Sequence, residues 1–362
     1  MKQLKNLMLC SVAFLAMTVT GCGGNNGKKA PLKPVVFVLT GQSNMEGQSS
    51  WNNNYLKNAM QALQESEDYS FVSADDYETI APAADNDPLS EVPGIENVRT
   101  SYYGCGYGEI YNGDNEIHAS YDGDGPKITG KFLNTRVGMG YRDSAIGPEL
   151  GAAYRLSSVL EEGQMVYFIK CGVSGSGFEQ DGSRYGGDRI NWNVEKEANL
   201  YVNILKPYTQ NCLDLIEEEA GVKPVVKGFL WMQGESDSDA AKIPLYANRM
   251  NNLLDAFKTD FAGYAVDEDK ENISFIDACI YDNEGTQWGY ENSHDLNQVK
   301  MDNAAAHDNY YCINTSWQLE GGMKLTTGSP GGNGGAHYST ESMLKLGIAF
   351  ADVMIDNDLL DY

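Results

Sequence analysis

The sequence predicts an α/β domain whose mainly parallel sheet is covered by helices on both faces. Two observations carry that expectation. Short apolar, β-branched runs alternate with segments of helical period, and parallel strands need crossovers of that kind. Two of the apolar runs also end abruptly in compact polar clusters, as strands do where the rim of an open sheet carries a site.

The elements follow in order. Val35-Val36-Phe37-Val38-Leu39-Thr40 reads as a buried strand, and Gly41-Gln42-Ser43-Asn44 turns the chain sharply after it. Gly147-Pro148-Glu149-Leu150 opens a helix to about Glu162, with proline in a first turn where its missing N–H costs nothing. Met165 to Lys170 is the next strand, and Glu195 to Glu219 is helical with an interruption at Pro207. Val225 to Met232 is a strand, Tyr246 to Phe261 a helix, and Ile273 to Ile280 a strand. Thr340 to Ile355 closes the chain as a helix, with Met343, Leu346, Phe350 and Val353 on one face and Ser339 as N-cap. Residues 51–142 and 285–335 break this rhythm. They read as long insertions that wall a cleft at the sheet rim.

Residues 1–21 read as an export signal, with Lys2 and Lys5 ahead of an apolar Leu7 to Val19 too short to span a bilayer. Val19-Thr20-Gly21-Cys22 resembles the bacterial lipobox, which implies cleavage before Cys22 and its lipidation. An ordinary secretory signal cut elsewhere is the alternative. Residues 22–33 read as a flexible tether and 34–362 as the folded domain. The expected location is the cell envelope, periplasm or outer membrane, with the membrane reached only through Cys22.

The chain carries 51 acidic against 26 basic residues, a formal net charge of −25. That balance argues against nucleic acid and against anionic lipid surfaces, and is compatible with neutral ligands. Beyond Cys10 and Cys22 the cysteines are Cys105, Cys171, Cys212, Cys279 and Cys312. Their number and spacing match neither a zinc ribbon nor a dense disulfide scaffold, although one or two bridges suit an exported chain. Cys171 and Cys279 end apolar runs and read as buried and inert.

Three segments carry the chemistry. Ser43 stands at the carboxyl end of a strand, where a nucleophile gains the exposure it needs; the plain alternative is a strand followed by a polar turn. Phe229-Leu230-Trp231-Met232 runs into Gln233-Gly234-Glu235-Ser236-Asp237-Ser238-Asp239, bringing an amide and carboxylates to the same rim. Gly335-Ala336-His337-Tyr338-Ser339 places a histidine just before the last helix. Of His118, His294, His307 and His337, only His337 lies at an element boundary that returns to the rim. Asp122-Gly123-Asp124-Gly125 has a calcium-loop flavour without the ligand spacing of an EF-hand, and a solvated turn fits it better. No dinucleotide or Walker pattern follows a strand, so neither a cofactor nor a metal is expected.

Together these segments resemble the SGNH, or GDSL-like, hydrolase superfamily, and within it the sialate O-acetylesterase-like domain that includes carbohydrate esterase family 6 acetylxylan esterases. Gly41-Gln42-Ser43-Asn44-Met45 is similar to the nucleophile block, and Trp231-Met232-Gln233-Gly234-Glu235-Ser236-Asp237 to a second block in which histidine is common at the place of Met232. Gly147-Pro148-Glu149-Leu150 resembles the start of the family's first long helix, and Lys170-Cys171-Gly172-Val173-Ser174-Gly175-Ser176 its glycine-rich oxyanion segment. The resemblance implies a three-layer α/β/α sandwich of flavodoxin-like form that hydrolyses an ester without a cofactor. Ser43 would be the nucleophile and His337 the general base. The Ser43 N–H, an N–H of the Gly172 to Gly175 turn (Gly175 in particular) and the Gln233 amide would form the oxyanion hole.

The usual orienting aspartate, three residues before the histidine, is replaced here by Gly334, with Asn333 beside it. Glu235 is the preferred substitute and Asp237 the alternative acid; a Ser–His dyad oriented by a backbone carbonyl is the third option. The implied substrate is an acetylated glycan, either xylan or a sialylated glycan. Tyr102, Tyr103, Tyr107 and Tyr111 would then stack on sugar rings or form the small core of the first insertion. A glycan-binding lipoprotein with a decayed esterase site is the competing class. An esterase for lipid esters or thioesters is a third reading, and the insertions offer it no continuous apolar lining.

Overall fold

In a computed structural model of the chain, the described residues are 32–85, 87–104, 118–122, 125–129, 132–179, 191–283, 292–332, 335 and 337–361. The proposed export signal, lipobox and Cys22 lie outside them, as do Cys105, Tyr107 and Tyr111.

Among the described residues, seven strands form one sheet: β1 (Val35–Gly41), β2 (Ile95–Gly104), β3 (Leu133–Thr135), β4 (Val166–Gly172), β5 (Val225–Met232), β6 (Ser274–Ala278) and β7 (Tyr310–Ile313). Their order is β7-β6-β5-β1-β4-β2-β3, all parallel except β3, which runs antiparallel to β2. Besides a short helix over Tyr77–Ile80, the helices are α1 (Ser43–Glu46), α2 (Asn53–Gln64), α3 (Pro148–Ser157), α4 (Lys206–Ala220), α5 (Ile243–Phe261), α6 (Ser293–Ala305) and α7 (Thr340–Asp356). Packing of α7 against α2 and α3 covers one face, while α4, α5 and α6 cover the other. The mainly parallel, doubly covered sheet is the predicted α/β architecture. Val36, Phe37 and Val38 of the central strand are fully buried, as β-branched and aromatic residues between two helical layers should be.

The two segments read as insertions also contribute strands and helices to the framework. Residues 51–142 supply α2, β2 and β3, and 285–335 supply α6 and β7. Their acidic, Asn- and Gly-rich composition hid strands whose partners are far away in sequence. Pro207 does not interrupt the chain's helical course. It sits in the first turn of α4, directly after a π-helical turn over Tyr201–Leu205. Ser339 caps α7 as expected, accepting from Ser342 N–H. Cys171, Cys212 and Cys279 are buried free thiols, and no disulfide joins the described residues. No helix among them is long and apolar enough to cross a membrane.

The topology concentrates three loops at one place. β1 lies between β4 and β5, with Gly41 in register with Gly172 on one side and Met232 on the other. The three strands therefore end level, and their loops leave together at the point where the chain changes direction across the sheet, the favoured ligand crevice of such folds. Gly41 makes the close join possible. Its φ is +144°, and a Cβ there would lie 2.1 Å from Met232 O.

Two buried ion pairs brace these loops from below. Lys170 Nζ meets Glu149 at 2.8 Å and also donates to the carbonyls of Glu46, at 3.1 Å, and Met139. Lys300 Nζ meets Asp277 at 3.0 Å and donates to Gln233 O at 2.6 Å. Burial opposes the Lys300 charge most strongly, but the Asp277 carboxylate together with the neighbouring Cys312 and Cys279 holds the ammonium above its ordinary range. Burial likewise pushes Asp277 up to about 6, against the pull of Lys300. An unfolded aspartate titrates near 3.8, so the Asp277 share of stability is complete below that pH and is lost as the pH rises through about 6. Lys300→Met leaves that carboxylate buried and unpaired, and should cost about 3–5 kcal/mol near neutral pH and above. Urea melts should show the deficit shrinking as the pH falls and Asp277 protonates. An equal deficit on both sides of that titration would contradict the pairing.

Candidate active site

Ser43 is the first residue of α1 and is 7% exposed. The turn that presents it is held from β5 and the loop beyond. Gln42 N–H donates to Met232 O at 2.9 Å, while Gln42 Oε1 accepts from Gly234 N–H at 3.4 Å and Ser236 N–H at 3.3 Å. The Ser43 N–H, at the start of a helical turn, donates to no acceptor among the described residues.

The glycine-rich segment after β4 forms a turn closed by Ser176 N–H to Val173 O at 3.2 Å. Gly175 sits in it at φ +69°, a left-handed conformation that favours glycine. Its N–H also meets no acceptor among the described residues. Ser174 Oγ donates to the buried Glu46 carboxylate at 2.6 Å, and Gln48 Nε2 donates to the same oxygen at 3.1 Å. Glu46 thereby ties this turn to the helix that carries Ser43.

The two candidate acids occupy different environments. Asp237 turns toward the loop after β4, accepting from Phe178 N–H at 2.9 Å and Gln233 Nε2 at 2.7 Å. Burial raises its carboxyl above the usual range, against those two donors. Glu235 turns toward the nucleophile helix, and its Oε1 accepts from Asn44 Nδ2 at 2.8 Å. Its other oxygen, Oε2, is buried and takes no hydrogen bond from any described residue. Burial raises this carboxyl too, opposed by its own N–H, the Asn44 amide and the Lys300 charge.

Gln233 departs from the sequence reading. Its side chain is fully buried, and both amide hydrogens are engaged, by Asp237 Oδ2 at 2.7 Å and Ser176 O at 3.3 Å. Its Oε1 accepts from the Tyr246 hydroxyl at 3.0 Å. The desolvated Asp237 carboxylate competes for the amide that the oxyanion hole was expected to use. Gln233 therefore stitches the loops after β4 and β5 together instead.

His337 is half-buried on a loop fastened to the segment that follows Ser43. Tyr338 N–H donates to Asn44 Oδ1 at 3.3 Å, and Ser49 Oγ donates to Tyr338 O at 2.6 Å. Ser50 N–H reaches Gly331 O at 2.7 Å, and Thr340 Oγ1 reaches Ser50 O at 3.0 Å. The residue after the serine thus touches both Glu235 and the residue after the histidine, so the three motif segments converge at Asn44. Asn333 and Gly334 lie outside the described residues, as does part of the Asp122 to Gly125 turn.

Several participants were not singled out from the sequence: Asn44, Glu46, and the braces Lys170 with Glu149 and Lys300 with Asp277. A usable signal existed for two of them. Lys170 and Asp277 are lone charges inside otherwise apolar strands, and such a residue must find a buried partner.

A family model described as "Carbohydrate esterase, sialic acid-specific acetylesterase" matches residues 141–356, a span that includes Gly175, Gln233, Glu235, Asp237 and His337 but begins after Ser43. Among solved structures, the chain is similar to NanS, at 13% identity and TM-score 0.56, over 91% of this chain and 98% of that one. An Arabidopsis thaliana protein matches at 16% identity and TM-score 0.48, over 90% and 99% of the two chains. A carbohydrate acetylesterase from Xanthomonas citri matches at 13% identity and TM-score 0.47, over 90% of this chain and 56% of that one. No curated protein matches. At such identities the likeness to NanS is one of fold, and it agrees with the parallel sheet and its level strand ends. With more than half its length covered by the family model, this chain belongs to the sialic acid-specific acetylesterase family of carbohydrate esterases.

Proposed function

We propose that this protein is an exported, lipid-anchored serine esterase that removes O-acetyl groups from glycans. The supporting observation is the junction at Asn44, which draws the segments of Ser43, Glu235 and His337 together. A serine hydroxyl is a weak nucleophile at neutral pH. His337 would take the Ser43 proton as Oγ attacks the acetyl carbonyl, then return it to the departing sugar oxygen as the ester C–O bond breaks. Water, deprotonated by the same imidazole, would then attack acetyl-Ser43, releasing acetate and restoring the hydroxyl.

The oxyanion of each tetrahedral intermediate needs donors fixed in advance. The N–H groups of Ser43 and Gly175 serve in this reading, and Gln233 does not. Each candidate acid keeps one buried carboxylate oxygen without a hydrogen bond from a described residue. Glu235 is preferred because Asn44 joins it to the backbone next to His337, whereas the bonds to Asp237 come from Phe178 and Gln233. The leader ending at Cys22 supports the anchor, and the net charge of −25 favours a neutral acetylated glycan over a polyanionic one.

Ser43→Ala should abolish acetate release from acetylated xylan, acetylated sialoglycan or a chromogenic acetate while leaving the fold intact. Full activity in that variant would refute the nucleophile, and glycan binding without turnover by the wild-type chain would favour a decayed site. Glu235→Gln should lower kcat by about 10³- to 10⁴-fold, as loss of an orienting carboxylate does in serine hydrolases. Asp237→Asn should act chiefly on thermal stability. The reverse ranking, measured by steady-state kinetics, would transfer the acid role to Asp237.

A further inference from the structure

We propose that Asn44 is a positioning residue of this active site, its single carboxamide setting the separation of the Glu235 carboxylate and the His337 loop. The inference rests on the esterase reading above and adds a residue to it. Asn44 is fully buried. Its Nδ2 occupies Glu235 Oε1 at 2.8 Å, and its Oδ1 receives the Tyr338 N–H at 3.3 Å. One rigid planar group therefore spans from the acid to the backbone one residue beyond the base. By occupying Oε1 it leaves Oε2 as the oxygen that would receive an imidazole N–H.

The chemistry needs an amide at this position. A donor on one side and an acceptor on the other are both required, which serine, alanine or aspartate cannot supply together at this reach. The charged and titratable groups facing Glu235 are Lys300, which favours its anion, Asp237, which disfavours it, and the Tyr338 phenol. Asn44 is the neutral donor among them, so its replacement changes the carboxylate's surroundings without altering the other charges. The His337 loop keeps its bonds through Ser49, Ser50 and Thr340 when Asn44 is truncated, so the segment stays docked and only the geometry loosens.

The test compares wild type, Ser43→Ala, Asn44→Ala, Asn44→Asp, Glu235→Gln and the Asn44→Ala/Glu235→Gln double variant on a chromogenic acetate across pH, with melting curves as a control for folding. Asn44→Ala should lower kcat by about 10²-fold with KM little changed, the size of loss that misplaced catalytic groups produce. Asn44→Asp keeps the acceptor for Tyr338 and nearly the same volume, and carries the test should the alanine variant not fold. Its new carboxylate faces Glu235, so the acid limb of kcat/KM should move up by about one pH unit or more. The double variant should fall well short of the product of the two single losses, because Asn44 and Glu235 act on the same pairing of acid and imidazole. Wild-type kcat and an unmoved acid limb in both Asn44 variants would overturn the proposal, as would losses that multiply in the double variant. An active Ser43→Ala would instead overturn the esterase reading, and this proposal with it.

Discussion

Two buried ammonium groups hold in place the sheet rim that carries the candidate site. Lys170 and Lys300 lie on opposite sides of the central strand, each paired with a carboxylate and each donating to a main-chain carbonyl of a motif loop. A desolvated lysine is tolerated only where its protons are met by well-placed acceptors, so the loops cannot drift without exposing that cost. Lys170 thereby fixes the helix that begins with Ser43, and Lys300 fixes the residue that leads into Gly234 and Glu235. Above this base the loops join one another through neutral groups: the Gln42 carbonyl, the Gln233 amide and the Asn44 amide.

The arrangement assigns different work to residues that look alike in sequence. Glu235 and Asp237 are two positions apart, both buried and both raised by burial. Their partners separate them: Asp237 accepts from a backbone N–H and an amide of the loops after β4 and β5, whereas Glu235 accepts from Asn44, which also holds the histidine loop. Gln233 and Asn44 differ in the same way. Gln233 spends its hydrogens on joining two loops, and Asn44 spends its carboxamide on joining the candidate acid to the histidine loop. The loops therefore divide into one cluster in which Gln233 and Asp237 join two loops and another in which Asn44 joins Glu235 to the histidine loop.

The parts legible in the sequence were those with local signals. Val35 to Leu39 and Val225 to Met232 announce themselves as strands because residues in a doubly covered sheet are buried and mostly apolar, and Thr340 to Ile355 shows one apolar face with Ser339 as its cap. The edge of the sheet was hidden. Ile95 to Gly104 and Tyr310 to Ile313 sit in polar, glycine-rich surroundings, and nothing local tells a strand from a loop when its partner is far along the chain. The site showed the same division. Ser43, Glu235 and His337 stood out by chemistry and by position at element ends. Asn44 did not, because its value lies in what it joins across long separations, and Gln233 looked like a free amide until Asp237 and Ser176 were seen around it.

The proposed chemistry requires Ser43 to become acylated. Quenching the enzyme in acid during turnover of an acetyl ester and mapping the modified peptide by mass would show this directly. One acetyl group should be found on Ser43, and it should disappear as acetate is released. Acetate release with Ser43 never acetylated, or an acetyl group carried by a different residue, would contradict the mechanism.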